Sequence, residues 1–498
     1  MQPAPPEPHV AGDVTAPAAG ASAPLDRRRA TIDIAVQIAG RLVNLAMGVV
    51  WTVLVVRTLG DSAFGQWSTI LAVGTLAGTV ADLGLEKVAV GQAASEPERE
   101  GDWMGALVTL GFAIALPAAA VSFGLVLLVS DGSDMVLAGL LICALLLVAP
   151  IERLRAVFQL RMRNDVSVAV LTFHSVVWGA AVVVLAATDA GLVAFAIAFA
   201  VTSLARVGLQ AVLSLRAGVV RLRGSRRLWG ELGRVALPVG IASTLTVAYS
   251  RIDQVLVFEL AGARDAGLYG AVHRILEQAQ FIPIAVMTTF FPVLAAAHPG
   301  DPGRVRRVFQ VTMDSLALVS LPALAFTIVA AGPIVRLLFG PGFAEAAPAL
   351  PILMTTFAIV CFGYLAGNMI IVLKLQRQFL VYAVLALVVN VGLNFALVGA
   401  YGFVAAAWIT VATEILVMSL AMRAVLRAMQ WRPRVDRVLR VALAAGVMGA
   451  LVALARAGGV PLAALVVIAA ASYPPLLLLL RAVDVGALRA IVRRKVAT

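Results

Sequence analysis

Cysteine occurs twice and histidine four times in 498 residues. Cys143 and Cys361 both fall inside apolar runs, so neither a disulfide framework nor a metal site is indicated. Charge is also scarce: Asp, Glu, Lys and Arg make up 13% of the chain, against 61% apolar residues and a mean hydropathy of +0.97. That composition excludes a soluble domain and fits a bilayer, which takes about 20 apolar residues per helix. No glycine-rich phosphate loop of the Walker type occurs, which excludes ATP hydrolysis by this chain. Long hydrophilic insertions between the apolar runs are missing too, and with them the folded outer catalytic loop of a membrane polymerase or glycosyltransferase. The reading is therefore of a protein that is not an enzyme, with no catalytic residue, cofactor or metal.

What charge there is sorts by side. With the apolar runs read as membrane spans, 31 of the 39 Lys and Arg fall on one side, four on the other, and Arg41, Arg206, Arg251 and Arg274 lie inside spans. Basic loops stay cytoplasmic, so the split predicts an all-α polytopic membrane protein with about 14 transmembrane helices and both termini in the cytoplasm. The net charge of +12 belongs to short loops beside spans, where it sets topology and meets anionic lipid; nucleic acid is not a partner. The expected plan has a disordered tail (1–29), a six-helix lobe (30–213), a basic linker (214–234), a second six-helix lobe (235–425), a terminal helix pair (438–480) and a basic tail (481–498). Within it the first span is placed at 34–56, the second at 67–85, the fourth at 135–151, the seventh at 235–260 and the eighth at 267–294.

The two lobes read as repeats of one unit. A glycine, an Asp and an aromatic-Gly pair recur at Gly60, Asp61, Phe64-Gly65 and at Gly262, Asp265, Tyr269-Gly270; a shorter copy is Gly399-Ala-Tyr401-Gly402. Duplicated halves around a midplane site are a common transporter plan.

An ionisable side chain at the bilayer centre costs roughly 2.5–3.5 kcal/mol on insertion scales, so each such residue needs a partner or a polar cavity. Asp33, Gln37, Arg41, Asn44 and Gly48 form one stripe on the first span, and Ser203, Arg206 and Gln210 another on the sixth. The seventh span carries Ser243, Thr246, Ser250 and Asp253 beside Arg251, and the eighth carries His273 and Glu277 beside Arg274. Arg41 and Arg206 see no acid on their own stripes apart from Asp33, which makes them substrate-binding candidates together with Asn44. Arg251 and Arg274 either bind substrate or form structural pairs with Asp253 and Glu277. Glu414 is an isolated acid, with Asn390 and Asn394 a polar pair on the preceding span; Asp253, Glu277 and Glu414 are the candidates for coupling-ion sites or ion pairs. Asp82 and Glu86 end the second span and read as solvated, His174 reads as a packing residue, and Pro117, Pro283 and Pro322 predict kinks.

The runs Val56-Arg-Thr-Leu-Gly-Asp-Ser-Ala-Phe-Gly-Gln-Trp67 and Ala81-Asp-Leu-Gly-Leu85 resemble the opening of bacterial polysaccharide flippases of the O-antigen and exopolysaccharide type. Arg251-Ile-Asp253, Ala266-Gly-Leu-Tyr-Gly-Ala271 and Phe291-Pro292 resemble the start of their second lobe. These proteins belong to the multidrug/oligosaccharidyl-lipid/polysaccharide exporter superfamily, and the resemblance spans about residues 30–425. It implies a transporter of the bacterial inner or plasma membrane that flips a polyprenyl-diphosphate-linked oligosaccharide outward by alternating access, for polysaccharide biosynthesis. It also implies membrane lipid, a polysaccharide polymerase and other glycan-assembly proteins as partners, and coupling to H+ or Na+. The alternatives are a flippase for a lipid-linked peptidoglycan precursor, a multidrug or cation antiporter of the same superfamily, and a membrane scaffold. A diphosphate cannot cross hydrocarbon unaided, and Arg offers fixed, permanently charged donors to its oxygens.

Overall fold

The computed structural model describes residues 27–161, 163–217 and 225–483; the side chains of residues 27–39, 41, 42, 239 and 242 lie outside that description. Most of the expected N-terminal tail, the middle of the basic linker and most of the C-terminal tail are therefore also outside it. The described residues form helices and no strand. They are α1 (Arg27–Asp82), α2 (Leu85–Ser95), α3 (Glu100–Val129), α4 (Ser133–Ala144), α5 (Ala149–Glu152), α6 (Ala156–Leu160), α7 (Asn164–Ala187), α8 (Leu192–Arg216), α9 (Arg226–Ala279), α10 (Phe281–Ala297), α11 (Pro302–Phe339), α12 (Ala349–Val372), α13 (Gln376–Met429), α14 (Asp436–Ala457) and α15 (Leu462–Leu479).

Three of these, α1, α9 and α13, are rods of 56, 54 and 54 residues, and each is broken at one glycine. The breaks fall at Gly60 (φ 72°, ψ −176°), Gly262 (φ 89°, ψ 174°) and Gly402 (φ 62°, ψ −157°), a backbone region that is essentially closed to residues with a Cβ. These are the three repeated glycine motifs of the sequence. In α9 the chain folds back on itself at the break: Gln254 Nε2 donates to the Ala266 carbonyl at 3.0 Å, and Arg251 meets Glu277. The sequence predicts loops near 57–66 and 261–266; helix runs through both, because one glycine can make the reversal alone. α11 continues to Phe339, and a 3-10 turn follows at Pro341–Ala346.

Ten helices among the described residues are long and apolar enough to cross a membrane, and an eleventh candidate is the pair Ser133–Leu147 plus Ala149–Leu160, bent by 46°. That pair corrects the fourth span, which the sequence ends at residue 151. Pro150 has no N–H to continue the ladder, so the helix bends and carries on, bringing Arg153, Arg155 and Gln159 along. Pro117 and Pro322 lie inside α3 and α11, while Pro283 sits just past the interruption at Gln280. Large apolar side chains face outward all round, Leu128 at 79% exposed and Leu479 at 77% among them. An exposed surface of that kind is stable only in lipid, and the chain is a multi-pass membrane protein.

The most extensive packing in the molecule is α1 against α9. α7 and α3 add to α1, α12 and α13 to α9, and α14 to α11 with α15 beside it. The broken ends of the rods meet at one end of the molecule, here the tip end. A methyl group on Gly65 would strike the Ala263 carbonyl, and one on Gly267 would strike the Asp61 carbonyl, so the two rods touch backbone to backbone. Arg264 bridges Asp61 and Glu345 at 3.0 Å each, Asp265 accepts from the Phe403 N–H at 3.0 Å, and Arg57 donates to the Leu338 carbonyl at 2.8 Å. Gly267→Val should separate the tips and lower the apparent melting temperature in detergent, at a cost of about 1–3 kcal/mol from overpacking. Gly124→Ala, with open space at its Cβ, should leave it unchanged. Equal melting temperatures for the two variants would contradict the close approach.

Candidate functional site

A cavity of about 1060 Å³ lies between the two main packing groups. α1 lines it from Asn44 to Leu71, α7 from Asn164 to Trp178, and α8 adds Phe199; across from them stand Arg274, Phe281 and Ile284 of α9 and α10. At the end away from the tips, Arg155 and Gln159 close the wall. Among the described residues that line it, two are cations, Arg155 and Arg274, and none is an acid.

Each lining arginine is held from behind by a carboxylate. Arg155 grips both oxygens of Glu86 at 2.8 Å and approaches Glu152 at 3.5 Å, while Gln159 donates to Glu86 at 3.0 Å. Arg274 donates to Glu277 at 2.8 Å; Arg251 takes the other oxygen of Glu277, and His273 lies 3.4 Å from it. Buried charges persist only when paired and hydrogen-bonded, and these forks also fix the direction of each guanidinium.

The residues singled out from sequence separate into several groups. The side chain of Arg41 lies outside the described residues. Asn44 lines the cavity, with its amide nitrogen donating to Thr172 Oγ1 and the Gly40 carbonyl, both at 2.8 Å. Arg206 has an acid after all: it forks onto both oxygens of Glu152, from the bend between α4 and α6 that the sequence places in a loop. Arg251 pairs with Glu277 instead of Asp253 and borders smaller cavities beside the main one. Glu86 is buried against Arg155, not solvated, and Asp82 pairs with the buried Arg153 at 3.3 Å. His174 lines the cavity in addition to packing on Phe199.

Asp253 is buried within an oxygen-rich ring. It accepts from Thr410 at 3.0 Å, Asn394 at 3.3 Å and Tyr269 at 3.4 Å, so the polar pair on α13 serves Asp253. Asn390 Nδ2 and Asn394 Oδ1 have no further partner among the described residues. Glu414 stands between neighbouring cavities of about 120 and 330 Å³. Groups of three or more His, Cys, Asp or Glu able to hold a metal are absent among the described residues.

Arg155 and Gln159 are the site residues that sequence reasoning misses. Their signal was the apolar stretch Ala156, Val157 and Phe158, buried here, which lies beyond the charges that mark the apparent loop.

Residues 54–348, more than half of the chain, match the family described as "Polysaccharide biosynthesis protein". The chain belongs to that family. It is 23% identical over 298 residues to the probable flippase AglR of Haloferax volcanii, covering 58% of this chain and 61% of that protein's length. Its fold is similar to that of the lipid II flippase MurJ in an inward closed conformation, with a TM-score of 0.73 at 10% identity over 89% of this chain and 98% of the other. It is also similar to an inward-facing multidrug resistance MATE transporter of the MOP superfamily, with a TM-score of 0.62 at 12% identity over 80% and 95%. These similarities place the polysaccharide biosynthesis family member in the MurJ/MATE fold.

The Glu152–Arg206 pair is only partly exposed, at 23% and 19%. Glu152→Leu alone strands Arg206 and should lower the apparent melting temperature, a loss of roughly 1–3 kcal/mol. Glu152→Leu with Arg206→Leu should recover most of it. If the double variant melts no higher than the single, the pair is not what holds α8 to the bend.

Proposed function

We propose that the chain is a flippase that carries a polyprenyl-diphosphate-linked oligosaccharide across the membrane for polysaccharide biosynthesis. The observation that carries this reading is the sign of the cavity: two braced arginines and no acid among its described lining residues. A diphosphate needs fixed cationic forks, and its glycan needs a volume at the upper end of ordinary ligand pockets. A carrier of organic cations would instead need acids or bare aromatic faces where Arg155 and Arg274 stand. The fold similarity to a lipid II flippase supports a lipid-diphosphate glycan as the chemical class, with a peptidoglycan precursor as the second reading.

In this proposal α1, α9 and α13 each cross twice and the bent pair crosses once, so that both termini and the basic linker are cytoplasmic and the tips lie outside. The tip contacts then form the outer gate, and the cavity receives substrate from the cytoplasmic side. Arg155, at the end away from the tips, meets the diphosphate as it enters, and Arg274 on the facing wall holds it farther in. Glu277 keeps Arg251 and Arg274 in place, while Asp253 and Glu414, set apart from the main cavity, take the coupling ion, H+ or Na+.

In proteoliposomes, Arg155→Ala and Arg274→Ala should each slow flipping of a polyprenyl-diphosphate oligosaccharide by roughly tenfold or more, as loss of a charge-assisted phosphate contact implies. Lys at either position should restore part of the rate, since it keeps charge but loses the fork. Unchanged flipping in both Ala variants, or robust transport of a lipophilic cation by the wild type, would overturn the proposal. Topology has its own check, helped by the burial of both native cysteines. Cysteine placed at Ser133 should react with an impermeant thiol reagent in intact cells, and cysteine at Ser225 should not; the reverse pattern inverts the orientation.

A further inference from the structure

We propose that the segment joining α13 to α14, residues 430–435, and the apolar stripe of α14 that begins beside it bind an anionic glycerophospholipid. Its phosphate would sit on Arg432 and Arg434 and its acyl chains would lie along α14. The site is on the outer surface of the molecule, away from the central cavity, and does not depend on the transport reading.

Position follows from the helices around the segment. α11 reaches the tips at its far end, where Arg57 meets the Leu338 carbonyl, so its start at Pro302 lies at the opposite end of the molecule. Near that start Arg306 donates to the Met429 carbonyl at 3.3 Å, and Arg440 on α14 donates to the Arg481 carbonyl at 3.2 Å. The end of α13, the start of α14 and the end of α15 therefore come together where α14 leaves the bilayer. Residues 422–440 carry six arginines and one acid, the exposed Asp436.

A basic stretch of this kind is ordinarily a solvated loop that fixes topology. Here the backbone is tied down. Gln310 accepts from the Arg434 N–H and donates to the Arg434 carbonyl, both at 2.8 Å, and Trp431 packs edge-on against Phe309 with ring centroids 5.8 Å apart. Two neighbouring arginines are already engaged, Arg437 with Asp314 at 3.5 Å and Arg440 with its carbonyl. Arg432 and Arg434 are exposed, and their side chains have no hydrogen-bond or ion-pair partner among the described residues. Two free cations thus stand on a fixed backbone at the membrane surface.

The surface next to them is hydrocarbon. Val435, Leu439 and Leu443 recur at steps of four and are 55%, 63% and 55% exposed, which makes one stripe facing lipid. At 1.5 Å per residue that stripe runs about 12 Å into the bilayer from the level of the arginines. A soluble anion would use the arginines and leave the stripe bare. A neutral lipid would cover the stripe and leave the arginines without counter-charge. An anionic phospholipid meets both, and guanidinium forks match phosphate oxygens.

The test is a lipid titration of the full chain in detergent, read by native mass spectrometry, with tetraoleoyl cardiolipin and dioleoyl phosphatidylcholine as probes. The wild type should retain cardiolipin in preference to phosphatidylcholine. Arg432→Gln with Arg434→Gln should weaken cardiolipin by roughly ten- to thirtyfold, as the loss of two cations beside a phosphate surface implies, and leave phosphatidylcholine unchanged. Arg432→Lys with Arg434→Lys keeps the charge and should retain most of the binding, which separates a lost site from a misfolded variant. Arg216→Gln with Arg226→Gln removes the same charge from the other basic stretch and should leave cardiolipin binding close to that of the wild type. Equal weakening by the two Gln pairs would reduce the effect to diffuse charge and overturn the site. Displacement of cardiolipin by an equal concentration of inorganic pyrophosphate, or of undecaprenyl diphosphate, would overturn it in favour of a soluble anion or of the carrier lipid.

Discussion

An arginine inside a bilayer protein must be neutralised by a neighbour, and much of the arrangement around the cavity follows from that requirement. Glu86, Glu152 and Glu277 each take up guanidinium groups, and they come from different elements: the start of α2, the α5 bend and the second arm of α9. The pairs at Glu86 and Glu152 therefore tie separate helices together, and Arg251 with Glu277 ties the two arms of α9. The pairs also leave an asymmetric product, because the carboxylates stand behind the wall while Arg155 and Arg274 remain at its surface. The same interaction that makes the charges tolerable in the membrane gives the cavity its sign.

The tip end obeys a different constraint. Backbone-to-backbone contact between α1 and α9 requires residues without side chains, and Gly65 and Gly267 supply them reciprocally. Around this contact, polar links are short and inter-element: Arg264 with Asp61 and Glu345, Asp265 with the N–H of Phe403, Gln254 with Ser68. Exposed ion pairs are individually weak and hydrogen bonds are lost singly. A surface held by glycine contact and several modest links is well suited to separate and re-form, as the proposed outer gate would require.

Much of the fold was legible because its causes are local. Apolar runs of span length mark helices that must sit in lipid, and the three glycine motifs mark the places where a rod can fold back. The reading failed where charge was taken as the edge of the membrane. Glu152, Arg153 and Arg155 looked like a loop, yet the helix bends at Pro150 and continues, since each of these charges finds a partner on another element. Arg206 looked unpaired for the same reason: Glu152 is distant in sequence and on no shared helical face.

By itself the sequence determined the class of protein, the helical segments and the three reversal points, since hydropathy and glycine's backbone freedom act within a few residues. Only the tertiary structure decided which arginines face the cavity and that Glu86 and Glu152 brace them. Those outcomes depend on contacts between residues dozens to hundreds of positions apart, and the helical period shows which face a residue occupies without showing what stands opposite.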